Sequence, residues 1–237
     1  MAQPGAAEAG VRGPRPALNA AVDKVLRDPE SFLRDVARPM KNGRSSTVGG
    51  ASGLVLKRFN FRKPLNLLKD LFRRSPARRA FLMAYHLELA GIPTTRAVAC
   101  AEERIGPFVK RGFFLMEEIA GAVELGKWRG ARRAAVRPVA EPVARLRQEG
   151  FSHRNLKERN LLLDPQGRSW LIDLEGLQFE RQVSPERAAA DLARLGGGAA
   201  QLREFTAADR RHFLRHYCRA RRLGPGAFLR AAGAVPD

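Results

Sequence analysis

The sequence is poor in cysteine and has no long apolar run. It contains two cysteines, Cys100 and Cys218, and neither lies in a zinc-ligand spacing. This scarcity excludes a disulfide-built scaffold and a zinc finger, and it is typical of a reducing compartment. The longest run without a charged residue, residues 45–56, is too short to span a membrane. No basic region precedes an apolar stretch at the N-terminus, so we expect no secretory signal.

Acidic residues are also scarce. The chain of 237 residues has 24 Asp and Glu against 43 Lys and Arg, a formal net charge of +19. This charge favours an anionic partner, which is nucleic acid, an anionic membrane surface or a phosphorylated substrate. The charge alone does not choose among the three. A hydrophobic fraction of 44% indicates a globular chain, of a length that suits one domain with two lobes or two small domains.

The first half of the chain reads mainly as β structure. Residues 1–20, rich in Ala, Gly and Pro, are predicted to be a disordered tail. The Asn42-Gly43 pair predicts a hairpin, and residues 54–59 a third strand that carries Lys57. A helix is predicted over residues 75–90 and two more strands over residues 97–102 and 113–118. The second half is predicted to be mostly helical, with a short hairpin over residues 161–172.

The segment 57–79 is strongly basic. It holds nine basic residues and one acidic residue, Asp70, with leucine and phenylalanine interspersed. Such a stretch is suited to an anionic membrane surface or an acidic partner. An alternative interpretation is a helix that packs its apolar face on the core and leaves its basic face in water. Both interpretations stay open on the sequence.

Two short motifs carry the chemistry. Residues 151–163 read FSHRNLKERNLLL, which resembles the kinase catalytic loop H-R-D-L-K-x-x-N. Residues 172–176 read IDLEG, which resembles the magnesium-binding D-F-G with one extra residue before the glycine. Lys57, near the end of a predicted strand, resembles the phosphate-binding lysine of kinases. The order of these elements along the chain is that of a protein-kinase-like fold.

The kinase resemblance implies ATP and Mg²⁺ as cofactors. It assigns Asn160 and Asp173 as oxygen ligands of Mg²⁺ and Lys57 as the group that neutralises the α- and β-phosphates. Lys157 would lie beside the phosphoryl group that is transferred. These residue types fit the chemistry, because phosphates need cations and Mg²⁺ prefers hard oxygen ligands.

The resemblance also assigns a nucleotide cleft. Met116 is the expected gatekeeper at the end of a strand, and the backbones of Glu117 and Ile119 are the expected adenine contacts. Lys41 and Arg44, in the predicted hairpin turn, are expected to cover the phosphates. This turn holds one glycine and lacks the glycine-rich G-x-G-x-x-G pattern.

Within the kinase-like proteins, about residues 35–222 resemble the lipopolysaccharide core kinases, which phosphorylate heptose or Kdo sugars. Besides the catalytic loop, the resemblance lies in residues 78–93, 187–195 and 213–217. It implies a two-lobed α+β fold, with an N-lobe over residues 21–118 and a C-lobe over residues 119–237.

The family resemblance also implies a setting for the protein. We expect a cytoplasmic chain, peripheral on the inner face of the membrane, that acts on an anionic lipid-linked sugar. Residues 57–79 are the expected membrane contact. Nucleic acid is not the expected partner, although a basic nucleic-acid-binding module with vestigial kinase residues is a further hypothesis.

One position departs from the family pattern: Asn155 stands where the catalytic aspartate is expected. A carboxamide does not accept the proton of the substrate hydroxyl, but it can still orient that hydroxyl. Three interpretations stay open: a pseudokinase that binds MgATP, an enzyme that recruits another carboxylate such as Glu175, and a substitution introduced to trap a complex. The partner of Lys57 is also unassigned, because the matching helix offers Ala80 and, two turns later, Glu88.

Overall fold

The computed structural model describes five stretches of the chain, which are residues 16–60, 74–105, 108–154, 156–196 and 206–232. Three predicted features therefore lie wholly or partly outside the described residues. They are the greater part of the predicted tail, the central residues 61–73 of the basic segment 57–79, and Asn155.

The first half of the chain forms a five-stranded antiparallel sheet in the order β1-β2-β3-β5-β4. Its strands are β1 (Arg38–Asn42), β2 (Ser46–Ala51), β3 (Leu54–Phe59), β4 (Ala97–Ile105) and β5 (Phe108–Glu117). The predicted Asn-Gly hairpin joins β1 to β2. The next turn is shorter than predicted, because β2 continues through Gly49 and Gly50. Ser52 and Gly53 alone make this turn, with φ angles of 54° and 75°, as a tight two-residue hairpin requires.

The N-terminal helix covers the outer face of this sheet. Helix α1 (Pro16–Arg27) is followed by a short helical turn, Pro29–Ser31, and by a π-helical turn, Phe32–Val36. Val25 and Phe32 pack with Leu54, Leu56 and Leu115 of the sheet in one apolar cluster. The helix includes residues 16–20, which are the last five residues of the predicted tail. Packing of this helix on the sheet stabilises it, and such packing is not visible in the composition of the segment.

Helix α2 (Pro76–Leu89) covers the inner face. The predicted cap is confirmed: Ser75 Oγ accepts a hydrogen bond from the Arg78 backbone N–H at 3.1 Å, and Pro76 begins the helix. The helix buries a stripe of small side chains, Ala77, Ala80 and Ala84. This stripe lets neighbouring backbone approach closely. A Cβ atom on Gly112 of β5 would lie only 2.9 Å from Ala77 Cβ.

The second half is built of helices around two small β structures. The helices are α3 (Arg132–Gln148), α4 (Pro185–Gly196), α5 (Ala207–Ala220) and α6 (Pro225–Ala231). The strands are β6 (Val123–Glu124), β7 (Phe151–His153), β8 (Leu161–Leu163), β9 (Ser169–Leu171) and β10 (Leu177–Phe179). Strands β6, β8 and β9 form one sheet, and β7 pairs with β10. Helix α6 was not predicted, whereas the other three helices were.

Helix α3 stays continuous although it contains two prolines, Pro138 and Pro142. A proline has no N–H, so Pro142 leaves the carbonyl of Pro138 without its helical donor. The hydroxyl of Ser169 in β9 donates to that carbonyl at 2.6 Å. The hairpin that precedes Asp173 is thus tied to the central helix of the second half.

The loop between α2 and β4 joins the two halves. The Leu171 N–H donates to the Pro93 carbonyl at 2.9 Å, and Thr94 Oγ1 donates to the Leu171 carbonyl at 2.7 Å. An antiparallel sheet with one main helix, joined in this way to a mostly helical half, is the predicted α+β kinase-like fold. Among the described helices, none is both long and apolar enough to cross a membrane.

Candidate active site

Lys57 lies at the centre of the sheet, on the face turned toward α2. It pairs with Val48 of β2 and with Phe114 of β5, and Val48 in turn pairs with Lys41 of β1. Directly paired residues share a face of a sheet, so Lys41 and Lys57 lie on the same side, two strands apart. The Lys57 side chain is only 8% exposed, and its Nζ lies 4.8 Å from the centre of the Phe59 ring. Such a buried ammonium group needs a partner.

The hairpin β8–β9 brings Asn160 and Asp173 together. Leu161 pairs with Leu171, and the Ile172 N–H donates to the Asn160 carbonyl at 2.9 Å. The two predicted metal ligands therefore flank the same end of this hairpin, although they lie 13 residues apart in the sequence. Asn160 is buried, and Asp173 adopts the left-handed conformation with φ 67° and ψ 48°. An aspartate held in this region is typical of functional sites.

The Lys57 ammonium binds two carboxylates. Its Nζ donates to Glu175 Oε1 at 2.7 Å, and it makes a shorter contact with Asp173 Oδ1. Both carboxylates belong to one short segment of the chain, because Glu175 lies in the helical turn Leu174–Gly176 that directly follows Asp173. From the sequence alone, Glu175 was expected only as a substitute base. The extra residue before the glycine in IDLEG is Glu175 itself, and this departure from D-F-G is the sequence feature that could have indicated its contact with Lys57.

The three groups shift one another's pKa. Burial alone would raise the pKa of Asp173, but the charge of Lys57 and its hydrogen bond hold this pKa at about 2. Burial raises the pKa of Glu175, and the neighbouring Asp173 charge adds to this effect against the attraction of Lys57. Burial would lower the pKa of Lys57, yet the charges of Glu175 and Asp173 raise it above its ordinary value. At neutral pH the lysine is therefore charged and Asp173 is ionised.

Neither of the α2 positions considered for the Lys57 partner supplies a carboxylate to it. Ala80 is buried and carries no polar group. Glu88 lies at the surface, about half exposed, where its Oε1 is 3.9 Å from Arg96 Nε. Among the described residues, the carboxylates that contact Lys57 are those of Asp173 and Glu175.

The catalytic-loop motif begins in strand β7, which ends at His153. The Arg154 N–H donates to the Gly176 carbonyl at 3.2 Å, which ties this loop to the turn that carries Glu175. Lys157 is half-buried, and its carbonyl accepts the Asn160 N–H at 2.9 Å. Burial lowers the pKa of His153 to about 4, so its imidazole is neutral at pH 7. The position of Asn155 falls outside the described residues, and its role stays a prediction.

A close backbone crossing supports this loop. Gly150, with φ 76°, precedes β7, and the Glu180 N–H donates to its carbonyl at 2.6 Å. A Cβ atom at Gly150 would lie 2.5 Å from the Glu180 carbonyl oxygen. Glycine is therefore required here both by its φ angle and by the space.

A buried ion pair anchors the loop from below. Asp191 of α4 accepts a hydrogen bond from the His153 N–H at 3.2 Å, and Asp191 Oδ2 lies 2.6 Å from Arg147 Nη2 of α3. Both side chains of the pair are fully buried. The pair thus connects two helices with the strand that leads into the catalytic-loop motif.

We expect Asp191→Ala to destabilise the protein by about 3–5 kcal/mol, because it leaves the buried Arg147 charge uncompensated. Urea unfolding measures this loss. The matched control is Asp35→Ala, which removes an ion pair with Arg34 that is largely in water, and we expect it to cost about 0–1 kcal/mol. Equal losses for the two variants would contradict the structural role of Asp191.

The predicted hinge follows β5. Met116 is half-buried and pairs with Val55 of β3 and with Ala97 of β4. The Glu117 N–H donates to the Arg96 carbonyl, and the Glu117 carbonyl accepts the Thr95 hydroxyl, both at 3.0 Å. These Glu117 groups therefore point toward the loop before β4. Their predicted contact with adenine, like that of Ile119, stays a prediction.

A cavity of about 820 Å³ lies on the Thr95 side of this hinge, between residues 117–121, the loop before β4 and the β8–β9 hairpin. Lys57 and Asp173 are not among the residues that line it. The cavity is thus separate from the lysine–carboxylate cluster.

The β1–β2 turn contributes two exposed cations, Lys41 and Arg44. The charge of Lys41 is among the causes that lower the pKa of Asp173, so Lys41 is close enough to act on the cluster. At the start of the same strand, Arg38 Nη2 lies 2.8 Å from Glu118 Oε1 and so links β1 to the hinge.

The donor set fits a magnesium ion. Asp173 is ionised at neutral pH, and Asn160 adds an amide oxygen at the end of the same hairpin. These are hard oxygen donors, few in number, as is typical of Mg²⁺ sites that are completed by phosphate oxygens and water. The described residues hold no group of three or more His, Cys, Asp and Glu side chains that would suit a metal without phosphate.

Two solved structures resemble this chain in fold. The WaaP chain solved in complex with acyl carrier protein superposes with a TM-score of 0.62 at 24% identity, over 87% of this chain and 88% of that one. A crystal structure of WbdD gives a TM-score of 0.54 at 15% identity, over 83% of this chain and 46% of that one. These likenesses show the protein-kinase-like fold.

Sequence comparison gives a curated relative and a family. A 3-deoxy-D-manno-octulosonic acid kinase of Xylella fastidiosa (strain M12) is 30% identical over 97 residues, which are 40% of this chain and 39% of that relative. The match thus spans about two fifths of the relative. The model of the lipopolysaccharide kinase (Kdo/WaaP) family matches residues 61–217, well over half of the chain. The chain therefore belongs to the lipopolysaccharide kinase (Kdo/WaaP) family.

Proposed function

We propose that this protein is an ATP-dependent phosphotransferase that acts on a hydroxyl group of a lipopolysaccharide core sugar. The observation that carries the proposal is the cluster of Lys57 and Asp173, with Asn160 at the same end of the hairpin, in a chain of this kinase family. The name of the curated relative, a kinase of the sugar Kdo, supports the class of acceptor.

Lys57 and Lys41 supply positive charge for the phosphates of ATP. Lys57 is held in place by burial and by two carboxylates, so its ammonium needs little reorganisation when a phosphate arrives. Lys41 lies on the same face of the sheet at its exposed edge, from which its long side chain can reach a phosphate. Preorganised positive charge is the main contribution that a protein makes to phosphoryl transfer.

Asn160 and Asp173 would hold Mg²⁺. When bound, the ion neutralises charge that develops on the phosphates. Asp173 is ionised across the physiological range, because its pKa is about 2, so it needs no deprotonation to serve as a ligand. Asn160 is fixed by its backbone contacts to Lys157 and Ile172.

The acceptor hydroxyl is assigned to the catalytic loop. We propose that Asn155 orients this hydroxyl through its carboxamide and that Lys157, half-buried two residues later, neutralises the transferred group. An amide is no general base, and losing such a base typically costs about 10²–10⁴-fold in rate. The alternative is therefore a pseudokinase that binds MgATP and regulates rather than catalyses.

We propose an N-lobe over residues 21–118 and a C-lobe over residues 119–237, with the nucleotide between them.

The positive charge of the chain suggests a cellular setting. We propose a cytoplasmic location, peripheral on the inner face of the membrane. The basic segment 57–79 is the proposed contact with anionic lipid, and the anionic lipid-linked sugar is the proposed acceptor.

The test of the proposed function is transfer of radiolabelled phosphate from ATP to lipid extracts that carry lipopolysaccharide core sugars, with and without Mg²⁺. The proposal expects label in the lipid fraction only with Mg²⁺. A magnesium-dependent thermal shift with ATP, but no transfer, would support the pseudokinase. Salt-dependent binding to arbitrary DNA, without any response to ATP, would overturn both in favour of a nucleic-acid-binding module.

A further inference from the structure

We propose that Glu175 is the positioning residue of Lys57, in place of the helix glutamate that pairs with this lysine in protein kinases. The inference rests on the proposed function, since it concerns the same site. In this proposal Glu175 holds the phosphate-binding lysine in position and does not replace the missing catalytic base.

Glu175 contacts Lys57 directly. Glu175 Oε1 lies 2.7 Å from Lys57 Nζ, and the Lys57 side chain is almost completely buried. A charge-assisted hydrogen bond in such a place is stronger than one in water, and it fixes the direction of the lysine chain. Asp173 also contacts Lys57, but Asp173 is the residue that a metal ion would engage. Glu175 is the carboxylate that remains for the lysine.

The second argument is the surface of α2. This helix carries the pairing glutamate in protein kinases, whereas here its buried stripe is Ala77, Ala80 and Ala84. The turn Leu174–Gly176 packs directly against α2. Small side chains on the helix thus leave room for the turn, and the turn brings the carboxylate that the helix lacks.

The third argument concerns what controls the lysine. In protein kinases, movement of the helix makes or breaks the lysine–glutamate pair and so switches the enzyme. Here, the lysine partner and the metal ligand lie two residues apart in one turn, which is bonded to the catalytic loop through the Arg154 N–H. The pair therefore forms whenever this turn is folded.

The first experiment needs no nucleotide. The folded protein is treated with an acetylating reagent at one fixed pH, and acetylation of Lys57 is followed by peptide mass spectrometry, with exposed Lys127 as the internal reference. Glu175→Gln is expected to speed acetylation of Lys57 about threefold or more, a factor at the low end of couplings between contacting groups. The matched control, Glu88→Gln on α2, is expected to change nothing. Equal rates for Glu175→Gln and the wild type would overturn the inference.

The second experiment is a double-mutant cycle on ATP affinity, with Lys57→Met and Glu175→Gln alone and together. If Glu175 acts through Lys57, Glu175→Gln weakens ATP binding about tenfold in the wild type and has little further effect beside Lys57→Met. Adenosine affinity is expected to stay unchanged in all variants. An equal loss in both backgrounds, seen only with Mg²⁺, would instead make Glu175 a metal ligand and overturn the inference.

The two proposals fail in different ways. If the wild type binds no ATP, the proposed function fails, while the acetylation experiment still decides the role of Glu175. If Glu175→Gln does not fold, as judged by circular dichroism, Glu175→Asp replaces it. The shorter carboxylate of this variant is expected to protect Lys57 only partly, and full protection would count against the inference.

Discussion

Asn155→Asp is expected to raise the rate of phosphoryl transfer by about 10²–10⁴-fold. The substitution restores the carboxylate that the kinase catalytic loop uses to accept the proton of the acceptor hydroxyl. The described residues on either side of this position are already held by hydrogen bonds. His153 is held by Asp191, Arg154 by the Gly176 carbonyl, and Asn160 by Lys157 and Ile172. A carboxylate at residue 155 would thus enter a loop that is already fixed at both ends.

The gain is expected in kcat rather than in the KM for ATP, because the new carboxylate acts on the acceptor and not on the nucleotide. Steady-state rates at saturating ATP, measured on core-sugar lipid, test this expectation. The control is the double variant Asn155→Asp with Asp173→Ala, which is expected to be inactive. If Asn155→Asp gains nothing while the protein transfers phosphate, another group already serves as the base.

Asp173→Asn is expected to lower magnesium-dependent transfer by at least about 10²–10³-fold, the loss typical when one preorganised electrostatic contact to the transition state is removed. An amide is a far weaker magnesium ligand than a carboxylate. It also cannot balance the charge of Lys57, which would then depend on Glu175 alone. Transfer activity is compared between Asp173→Asn and the wild type at the same concentration of Mg²⁺. Raising the concentration of Mg²⁺ is expected to recover part of the lost activity.

Asparagine is the informative substitution at residue 173 because it tolerates the left-handed conformation observed there. Loss of activity is therefore expected without loss of the fold, and thermal unfolding measures the latter. Asp35→Ala, at an exposed ion pair, is the matched control and is expected to keep full activity. Full activity of Asp173→Asn would remove this residue from the magnesium site.

Much of the local structure around the candidate site could be predicted from the sequence, because its strands, hairpin and helix depend on neighbouring residues. The spacing between Asn160 and Asp173 is set by a short hairpin, and hairpin signals lie in neighbouring residues. Lys57 was placed correctly on the third strand for the same reason. The helix α2 was predicted because its capping serine, first proline and final glycine are all adjacent to it.

The rest depends on contacts between distant segments. Glu175 meets Lys57 across 118 positions of sequence, and only the packing of the turn on α2 brings them together. The direction of the Glu117 carbonyl depends on Thr95 in another loop. Helix α1 is stabilised by the sheet face that it covers, a contact with distant residues such as Leu54 and Leu115. Local sequence patterns do not reveal such contacts between distant segments.

We propose that Lys57, Asn160 and Asp173 form a magnesium-dependent ATP site. The most direct measurement is ATP consumption in the presence of core-sugar lipid, with and without Mg²⁺, by the wild type, Asn155→Asp and Asp173→Ala. Turnover is expected to require Mg²⁺, to be greatest for Asn155→Asp and to fall to background in Asp173→Ala. Turnover that is the same in all three proteins, or that ignores Mg²⁺, would contradict this proposal.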